Sequence, residues 1–351
     1  MIAEVVTFGE TMAALRGGGP LRLGGTLNLS VAGAESNVAI GLARLGHAVA
    51  WAGRVGDDEL GALVLRTLRA ENVDVSAAVV DRDRPTGLIL FERRTEDLTR
   101  VQYYRSGSAG SGLKAADLSP ALAPVLTAAP APTAGSAPTA GSAAAAGSAA
   151  GPGSAAGAGI LHLTGITPAL SPSAAAATRS GAARAREAGR LVSFDVNYRS
   201  RLWSAGDARA ALRPLVPLTD IVFGSAEELA LLTDDPAADA AAGAEAAAAE
   251  LLGRGVRTVV VKRGVQGATG YTADGVTSVP ARVVRAVDVV GAGDAFVAGY
   301  LSGVLNDLGT DGCLRRGAAV SAFAVGSTGD WEGLPTRAEL SLLDAGEETI
   351  R

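Results

Sequence analysis

The chain has 351 residues, which is enough for one large α/β domain or two smaller ones. A formal net charge of −5 and an isoelectric point near 5.3 give no basic field for nucleic acid, so we expect no nucleic-acid partner. The single cysteine and the two histidines exclude an internal disulfide and a Cys- or His-based metal cluster. Because no signal-peptide pattern and no membrane-spanning apolar run occurs, we expect a cytoplasmic protein with no membrane partner.

Short apolar runs alternate with helix-forming segments along the chain, which predicts an α/β fold with a doubly wound sheet. The predicted strands are 5–9, 48–52, 159–164, 191–197, 221–224 and 258–262. The predicted helices are 34–45, 60–71, 173–188, 207–215, 226–233, the alanine-rich stretch 237–250, and 295–305. In such sheets ligands gather at the carboxyl ends of the strands.

Three segments depart from this rhythm, because 27–31, 87–92 and 100–105 have the pattern of additional strands. In the last of them, Val101, Tyr103 and Arg105 share one face by period-two alternation. An aromatic ring and a guanidinium that project together suit a polar substrate with a carboxylate. The pattern alone favours an ordinary half-exposed edge strand.

A low-complexity tract at 127–159 contains only Ala, Gly, Ser, Pro and Thr and has no charged residue. Repeats of this kind cannot bury enough side chain to offset the entropy of ordering them. We therefore expect a flexible surface insertion in this tract.

The most informative stretch is 288–296, with the sequence Asp-Val-Val-Gly-Ala-Gly-Asp-Ala-Phe. Its glycine-rich part, Gly291-Ala292-Gly293-Asp294, precedes a helix, so its backbone N–H groups are unpaired and attract an anion. Glycine lets a phosphate approach the main chain closely. Asp294 could then accept the proton of an attacking hydroxyl, although an ordinary turn with Asp294 as the N-cap is equally compatible with the motif alone.

The pattern Asp288-x-x-Gly291-Ala-Gly293-Asp294 resembles the second signature of the ribokinase superfamily, the PfkB-type carbohydrate kinases. The N-terminal motif of the family, Gly-x-x-x-Asn, is similar to Gly33 and Asn37, with Ala32 where many members have another glycine. The resemblance runs from about 5 to 335 with one interruption at the insertion. It implies a single ribokinase-like domain over 1–351, a small β-sheet lid built from strands within about 11–32 and 85–110, ATP and Mg²⁺ as cofactors, and a homo-oligomer.

Three segments, 103–109, 165–172 and 195–199, are similar to 2-keto-3-deoxygluconate kinases in particular. This resemblance implies ATP-dependent phosphorylation of the 6-hydroxyl of a sugar acid. Ile89 departs from the pattern, because some of these kinases carry a tyrosine there. The implied substrate-binding residues are Gly33, Asn37, Tyr103, Arg105 and Arg199.

Three alternatives stay open beside this interpretation. A fructokinase or another neutral-sugar kinase would share the fold, and a sugar-binding protein without catalysis could have kept it. A nicotinamide-dependent dehydrogenase is disfavoured, because Gly9-Glu10-Thr11 stands where Gly-x-Gly-x-x-Gly would follow the first strand.

The nucleotide side of the predicted site begins at the turn after strand 258–262. Gly264 and Gly267 would permit close contact with phosphate or ribose, and the family places ATP beside this turn. Lys262 is a candidate phosphate contact, although a lysine at a strand end is more often a solvated charge. The chain lacks the Gly-x-x-x-x-Gly-Lys-[Ser/Thr] pattern, so P-loop chemistry is not indicated.

A possible magnesium contact lies at Ser225-Ala-Glu-Glu228, which occupies the position of the family's Asn-x-x-Glu motif. In the family this motif helps to hold magnesium through water. Glu228 matches the motif, whereas Ser225 does not, although serine can still bind a water. Alternatively, Glu227 and Glu228 only supply negative charge to the first turn of a helix.

Overall fold

The computed structural model describes residues 2–95, 98–127, 159–234 and 240–344. The interior of the predicted insertion, 128–158, lies outside the described residues, as does the start of the predicted helix 237–250. The strands of the described part, in chain order, are β1 Val5–Phe8, β2 Met12–Gly17, β3 Leu27–Ala32, β4 Val49–Ala52, β5 Arg54–Gly56, β6 Val73–Asp74, β7 Val79–Asp81, β8 Leu88–Arg93, β9 Thr99–Tyr104, β10 Ile160–Thr164, β11 Leu191–Asp195, β12 Ile221–Gly224, β13 Thr258–Lys262, β14 Ala268–Thr272 and β15 Gly275–Val279.

The α-helices of the same ranges alternate with the strands over most of the chain. They are α1 Ala34–Arg44, α2 Glu59–Ala70, α3 Ala115–Thr127, α4 Pro172–Glu187, α5 Ala205–Leu212, α6 Ala226–Leu229, α7 Ala240–Gly253, α8 Ala292–Leu305 and α9 Thr310–Val325. In the described part of the chain, no helix is both long enough and apolar enough to cross a membrane.

A nine-stranded sheet forms the centre, in the order β15-β14-β13-β12-β11-β10-β1-β4-β6. The strands from β13 to β6 are parallel, whereas β14 and β15 are antiparallel. Alternation along β1 sends Val5 to one face, where α1, α2, α8 and α9 pack, and sends Val6 and Phe8 to the other, where α3, α4 and α7 pack. This layering confirms the predicted doubly wound α/β fold.

A separate four-stranded sheet, in the order β3-β2-β8-β9, forms the predicted lid. Its inner face carries an apolar cluster against which Val290 of the glycine-rich turn packs. Buried members of that cluster are Met12, Ala14, Ala32, Ile89 and Phe91. The lid therefore touches the segment that carries the predicted phosphate site.

Most predicted elements occur within one to three residues of their predicted bounds, and the larger of these differences have local causes. The strand predicted to continue to Asn197 ends at Asp195, because Asn197 adopts a left-handed φ of 41°. Helix α8 begins three residues earlier than predicted, since Gly291, with a φ of 76°, is its N-cap. Helix α6 is shorter than predicted and ends at Leu229.

Candidate active site

A cavity of about 450 Å³ lies between the lid and the carboxyl ends of the parallel strands. Ten of the fourteen predicted site residues line this cavity, namely Gly33, Asn37, Tyr103, Arg105, Arg199, Glu228, Lys262, Gly291, Gly293 and Asp294. Residues separated by up to 261 positions in the sequence therefore meet in one cavity, because the ends of parallel strands collect at one edge of the sheet.

The glycine-rich turn has the geometry of an anion site. Among the described residues, the backbone N–H groups of Gly291, Gly293 and Asp294 have no acceptor, whereas the N–H of Ala292 donates to the Val289 carbonyl at 3.3 Å. Three unpaired N–H groups therefore remain at the N-terminus of a fourteen-residue helix. Only glycine fits at 291, since a Cβ there would lie 2.1 Å from the Asp330 carbonyl oxygen.

Asp294 lies in the first turn of α8 and is buried beside the cavity. Burial, together with the negative charge of Asp195, raises its pKa to about 6. A hydrogen bond from Asn37 and the charges of Arg199 and Lys262 oppose that rise in pKa. A carboxylate of this pKa is mostly ionised at neutral pH and is a stronger base than an ordinary carboxylate. It can therefore accept a proton from a hydroxyl.

Two asparagines hold the Asp294 carboxylate in place, one on each oxygen. The Asn37 amide donates to Oδ2 at 2.8 Å, and the Asn197 amide donates to Oδ1 at 3.3 Å. In the described structure the Oδ1 atoms of both asparagines are buried without a partner. Since buried polar atoms are normally hydrogen-bonded, these two acceptors are suited to the hydroxyl groups of a ligand.

Lys262 is a half-buried, ion-paired cation, its side chain only 20% exposed, rather than the solvated one of the alternative interpretation. Its Nζ donates to both oxygens of Asp195 at 2.8 and 2.7 Å. Burial lowers the pKa of Lys262, but the charges of Asp195, Glu228 and Asp294 outweigh that effect and raise it overall. A Cβ placed on Gly293 would lie 3.5 Å from Nζ, so the ammonium stands beside the anion site.

The two predicted arginines have different surroundings. The Arg105 side chain is 8% exposed, and its Nε and Nη2 donate to the Glu10 carboxylate at 2.7 and 2.6 Å. The Ser108 hydroxyl donates to the second oxygen of Glu10. Arg199 is exposed to the cavity and has no carboxylate partner among the described residues. Among the cations that line the cavity in the described part of the chain, Arg199 is therefore the one without an ion-pair partner.

The surroundings of Glu228 are compatible with both predicted roles, a contact to magnesium through water and a negative charge in the first turn of α6. One oxygen accepts the N–H of Tyr198 at 2.9 Å and the other accepts the N–H of Ser225 at 2.8 Å, while the Ser225 hydroxyl caps α6. The carboxylate still lines the cavity and keeps lone pairs for a metal-bound water. Magnesium usually retains several waters and needs few protein ligands, so this single carboxylate fits its requirements.

The four remaining predicted residues lie outside the cavity lining. Ala292 stands between Gly291 and Gly293, which both line the cavity. Ser225 is the N-cap of α6, the helix that carries Glu228. Gly264 and Gly267 form a tight turn with positive φ values of 56° and 95° between β13 and β14. The structure gives these two glycines a conformational role in that turn.

The sequence analysis missed four charged residues that shape the site. Glu10 and Glu35 are buried and line the cavity, and neither is a defining residue of a recognised motif. The Thr164 and Thr167 hydroxyls both donate to Glu35 at 2.6 Å, while burial raises its pKa. Asp330 lines the cavity and pairs with Arg16 of the lid. The available signal was a carboxylate at a variable position of the Gly33–Asn37 motif, as at Glu35.

The chain matches the family described as pfkB family carbohydrate kinase over residues 2–124 and 153–337. It is 36% identical to a 2-dehydro-3-deoxygluconokinase of Bacillus subtilis strain 168, over 100% of this chain and 98% of the relative. It is also 34% identical to a 2-dehydro-3-deoxygalactonokinase of Haloferax volcanii, over 92% and 91% of the two chains.

Solved structures agree with this family match. A PfkB protein from Polaromonas sp. JS666 superposes with a TM-score of 0.77 at 35% identity and covers 97% of this chain and 99% of its own. A structure from E. coli described as a ribokinase II, in complex with ATP and Mg²⁺, has a TM-score of 0.81 at 24% identity, covers 98% and 99% of the two chains, and supports the fold alone. This protein belongs to the pfkB family and is a carbohydrate kinase.

Proposed function

We propose that this carbohydrate kinase transfers the γ-phosphoryl group of ATP to the 6-hydroxyl of 2-keto-3-deoxygluconate. The observation that carries the proposal is the placement of Arg199, an exposed guanidinium without a carboxylate partner in the described structure, in the same cavity as the buried Asp294. A guanidinium recognises a carboxylate through paired hydrogen bonds. The relatives named as keto-deoxy sugar-acid kinases support the same substrate class.

The cavity supplies the parts that phosphoryl transfer needs. Asp294, held by the amides of Asn37 and Asn197, would take the proton of the sugar hydroxyl while the hydroxyl oxygen attacks the γ-phosphorus. The bond to the leaving oxygen of ADP then breaks. The free N–H groups of Gly291, Gly293 and Asp294 and the Lys262 ammonium would stabilise the charge that develops on the transferring group. The lid would exclude water, which otherwise competes with the sugar.

ATP and Mg²⁺ are part of this proposal. Glu228 would hold the metal through water, and the metal would neutralise charge on the nucleotide phosphates. The Gly264–Gly267 turn and Ser225 are proposed to border the nucleotide. Because ATP is an intracellular phosphoryl donor, we infer that the protein works in the cytoplasm.

A neutral-sugar kinase is the second candidate, and the Arg105–Glu10 pair favours it. Glu10 compensates the charge of Arg105, so the lid side of the cavity carries no net charge from this pair. Arg105 would then position Tyr103, whose ring centroid lies 5.7 Å from the guanidinium carbon, instead of binding an acid.

The two candidates are separated by ADP release with Mg-ATP and a panel of 2-keto-3-deoxygluconate, fructose, ribose, glucose and adenosine. Asp294→Asn is the blank, because it keeps the shape of the site and removes the base, which typically contributes about 10² to 10⁴ in rate. We expect the keto-deoxy acid to be preferred. A preference for fructose or ribose would replace the sugar acid with a neutral sugar, and turnover by Asp294→Asn near the wild-type rate would contradict the assigned base.

We also infer a homo-oligomer that uses the outer face of the lid. Cross-strand pairing aligns Leu29, Leu15 and Leu90 in one row on that face. Leu29 is 51% exposed, and Tyr104 beside this row is 56% exposed. Neighbouring apolar side chains in contact with solvent are typical of an interaction surface.

A further inference from the structure

Arg16 links the lid to the glycine-rich turn. It lies on β2 and shares the inner face with Met12 and Ala14 by period-two alternation. Its guanidinium carbon lies 3.9 Å from the centroid of the Phe91 ring. Its Nη1 lies 3.4 Å from Asp288, and its Nη2 forms a second ion pair with Asp330. One lid side chain thus bridges two carboxylates that lie outside the lid.

Both carboxylates belong to segments that shape the anion site. Asp288 accepts the N–H of Val290 at 3.1 Å through one oxygen and the N–H of Gly329 at 3.4 Å through the other. The Asp330 carbonyl oxygen packs so closely against Gly291 that no Cβ would fit. A movement of either carboxylate would therefore move the backbone whose N–H groups face the phosphate position.

Arg16 itself has no direct part in the proposed chemistry, because it is absent from the cavity lining. Its side chain is 15% exposed, and those of Asp288 and Asp330 are 19% and 8% exposed. Ion pairs with this little solvent exposure are much less screened than surface pairs. Burial raises the pKa of Asp330 to about 7, and Arg16 opposes that rise. The guanidinium therefore favours the charged form of this carboxylate and holds it through the ion pair.

We propose that Arg16 is a positioning residue that couples sugar binding under the lid to nucleotide binding at the glycine-rich turn. The inference rests on the proposed function, in which the same cavity receives both ligands. A sugar that packs under the lid fixes the inner face of β2. Through Arg16 this also fixes Asp288, Asp330 and the turn. Linkage requires that the nucleotide strengthens sugar binding by the same factor.

A second connection keeps the two segments together without Arg16. The Trp331 Nε1 donates to the Val31 carbonyl of β3 at 3.0 Å. We therefore expect Arg16→Ala to fold with its lid attached. Asp330→Asn gives a variant of nearly unchanged shape that removes one of the two charges, which keeps the proposal testable if Arg16→Ala is unstable.

The test is isothermal titration of Mg-AMP-PNP into the protein with and without saturating 2-keto-3-deoxygluconate. In the wild type we expect the sugar to lower the nucleotide Kd by about fivefold or more, within the usual range of coupling between sites. In Arg16→Ala the ratio of the two Kd values should fall to nearly one, and Asp330→Asn should reduce it. Arg16→Lys should retain only part of the coupling, because it keeps the positive charge but an ammonium cannot bridge two carboxylates as the planar guanidinium does.

Arg22→Ala is the matched control, since Arg22 is an exposed arginine near the same lid, and it should keep the wild-type ratio. A purely structural role would weaken both affinities and leave the ratio unchanged. An unchanged ratio in folded Arg16→Ala, or no coupling in the wild type, overturns the proposal. If the activity panel selects another sugar, that sugar is used in the titration in place of 2-keto-3-deoxygluconate. Failure of the substrate assignment is therefore distinguishable from failure of the coupling proposal.

Discussion

The surroundings of Asp294 suit the proton transfer that we propose for it. Burial disfavours its charge and raises its pKa to about 6. The donated hydrogen bonds of Asn37 and Asn197 favour the ionised form and fix the direction of its two oxygens. The base acts in its ionised form, so activity is present above this pKa and is lost as the pH falls through it. We expect kcat/KM to decline below about pH 6.

Asn197→Gly tests whether the Asn197 amide has this effect on Asp294. Glycine tolerates the φ of 41° at this position, so the substitution removes the amide with little backbone strain. Without that donor the charged form of Asp294 is less favoured, and the acidic limb of the kcat/KM profile should move to higher pH. The maximal kcat/KM should fall about tenfold or more, as expected for a hydrogen bond to a charged group.

Asn72→Gly is the matched control for this substitution, because Asn72 also has a positive φ, of 60°, and lies exposed after α2. Its pH profile should be that of the wild type. If Asn197→Gly lowers the rate and leaves the acidic limb in place, the residue shapes the pocket and does not influence the charge of Asp294.

Single residues were most directly predictable from the sequence where a motif named them. Gly33, Asn37 and Asp294 were found in this way, and all three line the cavity. The partners that set their charge and direction were not predictable, because ion pairs such as Arg105 with Glu10 join residues 95 positions apart without any periodic signal. Long-range polar pairs depend on the path of the backbone, which local patterns do not determine.

At the scale of the elements, the core strands were predictable because each is a short, continuous apolar run buried on both faces. Three of the elements that were missed, α3, β6 and β7, have contrary or weak local signals. Helix α3 contains Pro120 and Pro124, which normally argue against a helix. Strands β6 and β7 have two and three residues, too few for a pattern to emerge. Both are stabilised by pairing with neighbours distant in sequence, β6 with β4 and β7 with β5.

The start of α8 makes a prediction in which stability and activity change in opposite directions. Gly293 has ordinary helical space around it, since an added Cβ would meet only the Lys262 Nζ at 3.5 Å. Gly293→Ala should therefore raise the free energy of unfolding by up to about 1 kcal/mol through helix propensity. The methyl group would occupy the space in front of the free N–H groups, so kcat should fall about 10²-fold, as when an anion-stabilising donor is lost.

Thermal unfolding and ADP release measure these two effects on the same sample. Gly206→Ala is the control, because Gly206 lies in α5 with only the Ser204 hydroxyl within 4 Å of an added Cβ. It should gain stability and keep full activity. Full activity in Gly293→Ala would show that no phosphate group approaches this turn closely.

At the scale of the whole molecule, the doubly wound sheet and the lid have complementary roles. The sheet brings the ends of β11 and β13 and the start of α8 to one edge, where their polar side chains meet. The lid covers this edge with an apolar inner face. Its outer face is also rich in apolar residues, although no element of the described structure contacts Leu29 enough to bury it. A second copy of the chain is the partner that we propose for this face.

Leu29→Glu tests the oligomer by light scattering coupled to size-exclusion chromatography. A carboxylate stranded in an apolar interface costs roughly 3 kcal/mol, so the dissociation constant of the oligomer should rise about 100-fold and the protein should elute as a monomer at micromolar concentration. Val283→Glu is the control, because Val283 is 99% exposed and lies outside the lid, and it should keep the wild-type mass.

A wild-type monomer, or an unchanged mass in Leu29→Glu, would rule out the lid as the interface. Since Leu29 and the cavity lie on opposite faces of β3, a monomeric Leu29→Glu that still releases ADP would separate assembly from catalysis.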